Sequence, residues 1–196
     1  MREPGPIDTD VDVEEQLEPQ PLLTTSTVVW VPAFAGTTAE IAGTTAENKV
    51  LNRDHDMTDK AAEKLKASGW SIVETSGFLS LVGPLWQRVA EGEHEYALVA
   101  QDKHHNRRGL VQGGLLMTFA DRTCGMTARY VSGRPTLATV QMDVHFVDSG
   151  KIGEILISRP SVVRATRSLI FITTEVTADK RCIAMASGVF KILKND

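Results

Sequence analysis

The sharpest pattern in the chain is a strict alternation near its middle. Ala138, Val140, Met142, Val144 and Phe146 alternate with Thr139, Gln141, Asp143, His145 and Val147. A period of two predicts a strand with one face turned to a core, here leaving Thr139 and His145 on the other face. Further strands are expected over 152–164, bent at Pro160, over 168–177 and over 181–193. The last two are joined by a tight connection at Ala178-Asp179-Lys180. Upstream, 85–89 and 95–101 read as a hairpin about Glu91-Gly92, preceded by a short helical turn over 77–83. Between hairpin and strands lies the longest helical pattern, Gly113 to Val131, closed by Ser132-Gly133-Arg134-Pro135. Its first half is apolar on nearly every face, which predicts a buried helix. A shorter amphipathic helix over 59–68 has Thr58 or Asp59 as N-cap and stops at Gly69.

This order gives an α+β domain. A sheet with one apolar face and a single buried helix has a direct solution, in which the antiparallel sheet curls around that helix. One sheet edge and part of the helix then stay poorly covered, so association into at least a dimer is expected.

Length and charge divide the chain. Its 196 residues suit one domain with a tail. Residues 1–56 hold 11 acids against 3 bases, a net of −8, whereas 57–196 hold 14 acids against 18 bases, a net of +4. The tail is rich in Thr and Pro and repeats Ala-Gly-Thr-Thr-Ala-Glu at 35–40 and 42–47. It reads as a disordered or loosely attached segment. Its one apolar run, Val28 to Ala35, follows an acidic stretch and so does not read as a signal peptide. A translation start at Met57 is a further expectation. A net charge of −4 argues against a nucleic-acid binder. No apolar run reaches the roughly 18 residues of a membrane helix. Cys124 and Cys182 are too few for a disulfide scaffold or a four-Cys zinc site, and a cytoplasmic setting is expected.

The candidate chemistry gathers at the front of the long helix. Asp121 has Met117, Thr118, Cys124 and Gly125 as helical neighbours, none basic, and Arg122 is expected to point elsewhere. A carboxylate on that face costs free energy unless something uses it, as a general base would be used. From the residues alone, an Asp that reaches solvent or caps a neighbouring loop is the favoured reading. Gly113-Gly114 open the helix, where free N–H groups at the positive dipole end can polarise a carbonyl, or simply make a tight turn. His104 and His105 read as solvated loop residues, without ligand spacing for a metal. Asn106 offers a neutral hydrogen-bond donor nearby. Cys124 reads as a packed thiol. Arg164-Ala165-Thr166-Arg167-Ser168 is a basic turn that could hold a phosphate or be an ordinary hairpin tip.

The run His105-Asn106-Arg107-Arg108-Gly109-Leu110-Val111-Gln112-Gly113-Gly114, continuing to Asp121, resembles the signature of hot-dog-fold acyl-CoA thioesterases. It is most similar to the phenylacetic-acid-degradation branch, with support from Gly77-Phe78, Gly83-Pro84-Leu85-Trp86, Arg167-Ser168-Leu169 and Gly188-Val189-Phe190-Lys191. The resemblance implies a hot-dog fold and hydrolysis of an acyl-CoA ester to acid and CoA. It implies Asp121 as general base or nucleophile, Gly113 N–H as the group polarising the carbonyl, Asn106 placing water or substrate, and Thr139 assisting. Gly114, Arg164, Arg167 and Ser168 are then expected to bind coenzyme A, which enters as part of the substrate; no separate cofactor and no metal is implied. The site is expected across a homodimer interface, the dimers pairing further into a homotetramer in some relatives. One departure stands out: the family's His before Gly-Gly is Gln112 here, which cannot titrate near neutral pH but can hydrogen-bond. A hot-dog hydratase or dehydratase and a non-catalytic acyl-CoA binder are the alternatives.

Overall fold

The computed structural model describes residues 57–193. The expectations for residues 1–56, namely the acidic tail, its apolar run and its repeat, lie outside the described residues.

Helix α1 spans 57–67 and ends as its sequence requires. Gly69 takes φ of 79°, Trp70 N–H donates to the Leu65 carbonyl and Gly69 N–H to that of Lys66. This is the Schellman closure, which needs a left-handed residue and hence favours Gly. After strand β1 (Ser71–Val73), absent from the sequence reading, a five-residue helix α2 (Phe78–Val82) leads into β2 (Leu85–Ala90) and β3 (Glu93–Val99). Glu91 and Gly92 both have positive φ, as the two-residue hairpin turn requires. The long helix α3 covers Gly113–Ser132, and Gly133 caps it at φ 61°. Strands β4 (Leu137–Phe146), β5 (Ile155–Ser158), β6 (Ser161–Ala165), β7 (Leu169–Ala178) and β8 (Arg181–Ile192) follow. The expected strand over 152–164 is thus two strands, broken at Arg159-Pro160, because Pro cannot donate to a ladder.

All eight strands form one antiparallel sheet in the order β1-β2-β3-β5-β7-β8-β4, with β6 pairing the other end of β7. Its inner face holds α3. Leu115, Leu116, Phe119, Ala120, Cys124 and Ala128 of the helix are buried, and Ile170, Ile172, Val176, Ala184, Ala186 and Phe190 are buried beneath them on β7 and β8. Each such large side chain contributes about 1.5–3 kcal/mol by leaving water. A hydroxyl ladder lies under the helix: Thr123 Oγ1 to Ser158 Oγ at 2.7 Å, then to Thr174 Oγ1 at 2.8 Å. The outer face of β2, β3 and β5 is covered by α1, through Ala61 and Leu65 on Trp86, Ala97 and Val99.

Two expectations need correction. The helix is not apolar all round: Met117 is 45% exposed, and Asp121 on the same open side is half-buried. The alternation in β4 is not strict either. Its register against β8 slips between Thr139 and Gln141, so that Thr139 faces Phe190 while Met142 faces Gly188 and Val144 faces Ala186. The bulge at Val140 puts one extra residue in β4. Thr139 therefore shares the inner face with Met142 and Val144, and Val140 is 60% exposed. His145 pairs with exposed Met185 on the outer face, where an open cleft of about 540 Å³ also takes in Arg159 and Glu175.

Candidate active site

Asp121 sits midway along α3, two turns past the helix start. Thr139 Oγ1 donates to its Oδ1 at 2.8 Å, a bond the β4 bulge makes possible. Around the pair is a cleft of about 150 Å³, lined further by Arg122, Gly125, Arg129, Leu137 and Phe190. Arg122 thus lines the same cleft as Asp121 rather than pointing elsewhere, since adjacent helical side chains differ by only about 100° and a long one reaches round. Arg129 is the second cation that sequence reasoning missed. Its spacing of eight from Asp121, two helical steps of four, could have shown it.

The start of α3 is built by the loop before it. Asn106 Oδ1 accepts from Arg108 N–H at 2.8 Å and Leu110 N–H at 3.2 Å, folding 106–110 into a tight turn. Its Nδ2 has no partner among the described residues. Gln112 is the N-cap, its Oε1 accepting from Gly114 N–H. That bond occupies Gly114 and leaves Gly113 N–H unpartnered among the described residues, at the positive end of the helix dipole. The Phe146 ring lies against Gly113, and a Cβ there would come within 3.2 Å of it. An open cleft of about 340 Å³ adjoins this helix start, lined by Phe78, Leu81, His104, Gln112 and Gly114 among others.

His104 is not a solvated loop residue. It is 6% exposed. Gln101 N–H donates to its Nδ1 at 3.0 Å, so Nε2 carries the proton and donates to the Val82 carbonyl at 2.9 Å. Its own carbonyl accepts from Gln112 N–H, so one histidine ties α2 to the start of α3. Burial pushes its pKa below 6.5, with Lys103 adding to the effect and the Val82 bond opposing it. The unfolded chain therefore binds this proton more strongly than the native one. The stability gained from neutral His104 is complete above about pH 6.5 and drains away as pH falls toward the folded value. His104→Ala is expected to cost about 2–3 kcal/mol at pH 7.5 through its two lost bonds. It should also flatten the fall in melting temperature between pH 7 and 5; equal slopes in variant and wild type would refute this.

Cys124 is fully buried, and burial, with the Asp121 charge adding, pushes its thiol up to about 12. It is not a nucleophile. Arg164, Arg167 and Ser168 are exposed on β6 and the turn to β7 and line neither the Asp121 cleft nor the helix-start cleft. Among the described residues no group of three His, Cys, Asp or Glu is placed to hold a metal, and no helix is long and apolar enough to cross a membrane.

A curved antiparallel sheet holding one long helix, with a carboxylate on the helix's open side and a free N–H at its start, defines a hot-dog protein. Residues 108–183, under half of the chain, match the family model for the thioesterase superfamily. A protein of Pseudomonas aeruginosa called putative esterase PA0474 is 29% identical over 123 residues, 62% of this chain and 92% of that one. Acetyl-coenzyme A thioesterase of Rattus norvegicus is 27% identical over 113 residues, 54% of this chain but only 20% of that protein's length. The crystal structure of zebra fish thioesterase superfamily member 2 superposes with a TM-score of 0.56 at 24% identity, covering 61% of this chain and 89% of that one. At that identity the likeness is one of fold.

Proposed function

We propose that the protein hydrolyses acyl-CoA thioesters, using Asp121 as the carboxylate and Gly113 N–H as the hydrogen-bond donor to the thioester carbonyl oxygen. The observation that carries this reading is the pinned carboxylate: Thr139 holds Oδ1, which leaves Oδ2 to take a proton from water. The hydroxide equivalent adds to the thioester carbonyl, whose oxygen charge meets the Gly113 N–H. The carbon–sulfur bond then breaks and CoA leaves as thiolate, taking up a proton. Asn106 Nδ2 is free to orient the water, and coenzyme A enters only as part of the substrate.

The two groups cannot meet on one carbonyl within a single chain. Eight residues separate them, which is about 12 Å along a helix. A second copy brings its own helix start to Asp121. The β4 edge supports this homodimer: it carries no buried residue in the single chain and exposes Val140, Phe146 and the following Val147. Pairing along it would cover both the unpaired backbone and those side chains. Gln112 fits the same scheme, because its acceptor role at Gly114 needs no charge.

A hydratase reading would need a second acid–base group such as His, but His104 is spent on two structural bonds and His145 faces outward. The test is release of free thiol from acetyl-, phenylacetyl-, medium-chain and long-chain CoA esters by wild type and Asp121→Ala. Hydrolysis by wild type alone supports the reading. Undiminished hydrolysis by the variant rejects the assignment of Asp121. Tight binding with no turnover by either would establish an acyl-CoA binder instead.

A further inference from the structure

Arg122 is the one cation in the Asp121 cleft held partly inside the domain. It is half-buried, its Nε is fully enclosed without a hydrogen-bond partner, and among the described residues it forms no ion pair. A guanidinium stays charged and has five donors to satisfy, so leaving it unpaired and desolvated costs free energy unless a ligand completes it. Burial and the nearby Arg129 both act against its charge, with Tyr96 and Asp121 opposing them. The cleft thus gathers two guanidiniums around one carboxylate. Arg129 is exposed and hydrated, so the group that a ligand would complete is Arg122.

The space indicates where that ligand sits. The cleft of about 150 Å³ holds roughly ten water-sized groups. Among the described residues Arg122 also borders an apolar crevice between α2 and α3, lined by Leu79, Val82, Leu85, Leu98 and Phe119, with about 10 Å³ of free space, room for about one water. A chain entering beside Asp121 must therefore end at Arg122 rather than pass it.

We propose that Arg122 selects the acyl group: the thioesters taken by this site carry a short acyl chain whose far end is a carboxylate, received by the Arg122 guanidinium. The inference rests on the hydrolase reading above and names its substrate class. Planar two-point contact with a carboxylate is the geometry that Arg, unlike Lys, provides.

The test pairs two CoA esters of equal length, pentanoyl and 4-carboxybutanoyl, and the same two acyl groups on N-acetylcysteamine, which lacks phosphates. Wild type is expected to favour the carboxylate ester by about tenfold or more in kcat/KM on both carriers, the gain lying in KM. Arg122→Met should abolish the ratio and Arg122→Lys should keep part of it. Because the ratio is read within each protein, a lower folded fraction does not affect it. No preference in wild type, or an unchanged ratio in Arg122→Met, overturns the proposal. So does an effect of Arg122→Met on both CoA esters that is absent with N-acetylcysteamine, which would assign Arg122 to the CoA phosphates. Calorimetric binding of the same pairs reads the preference in a protein that turns none over, so failure of the hydrolytic reading and failure of this one are separate results.

Discussion

Co-expressing two inactive variants, Asp121→Ala and Gly113→Val, is expected to restore about a quarter of wild-type thiol release. Each variant alone should be crippled for a different reason. Asp121→Ala removes the proposed base, for an expected loss of roughly 10²- to 10⁴-fold. Gly113→Val places a branched side chain where a ligand must approach the N–H, and where the Phe146 ring already lies close, for a loss of roughly 10²- to 10³-fold. If one subunit supplies the carboxylate and its partner the N–H, a mixed dimer has one site with both groups intact and one with neither. Random pairing makes half the dimers mixed, and each has one working site of two, which gives about a quarter. A mixture no more active than its parents would show that the two groups do not share a site across subunits.

The second large effect is on stability. Glu95→Ala is expected to cost about 3 kcal/mol, because one buried carboxylate joins three strands. Arg88 Nε donates to Glu95 Oε2 at 2.6 Å from β2, and Arg159 Nε donates to Oε1 at 2.5 Å from the end of β5. Burial alone would push the Glu95 pKa up, but the bonds from Arg159 and Arg88 outweigh it and hold the group below 4.5. Removing it strands two guanidiniums that are still partly hydrated, so the cost falls at the lower end for a broken buried pair. The sign on pH follows from the depressed value. The contribution is complete above about pH 4.5 and is lost as pH falls through the folded pKa. Chemical denaturation at pH 7 and pH 3.5 should show the wild-type advantage over Glu95→Ala shrinking at the lower pH. A constant gap would mean that the network carries no ionic contribution.

Part of this network was legible before folding. A two-residue turn at Glu91-Gly92 sets Ala90 opposite Glu93 and hence Arg88 opposite Glu95. Arg159 was not legible, because β5 reaches β3 only through a crossover of the chain. The same division runs through the candidate site. The buried stripe of α3, its Gly133 end and the strands after it follow from periodicity. The cavity partners of Asp121 do not.

His104 shows the limit most plainly. Its neighbours in the chain are polar, so local composition assigns it to solvent, yet the Val82 carbonyl that holds it arrives from 22 residues away. Thr139 shows it again, since a period of two placed its hydroxyl on the wrong face until the bulge at Val140 turned it.

The chain by itself determined the antiparallel α+β plan, the helix that the sheet encloses and the placing of Gly-Gly and Asp121 on that helix. These depend on side-chain period and on turn chemistry, both set by residues a few positions apart. The tertiary structure alone decided that β4 is an edge strand, that its bulge brings Thr139 to Asp121, and that Arg122 faces the same cleft without a partner among the described residues. Those features depend on register between strands distant in sequence and on which groups close packing leaves unsatisfied, and neither is encoded in any local run of residues.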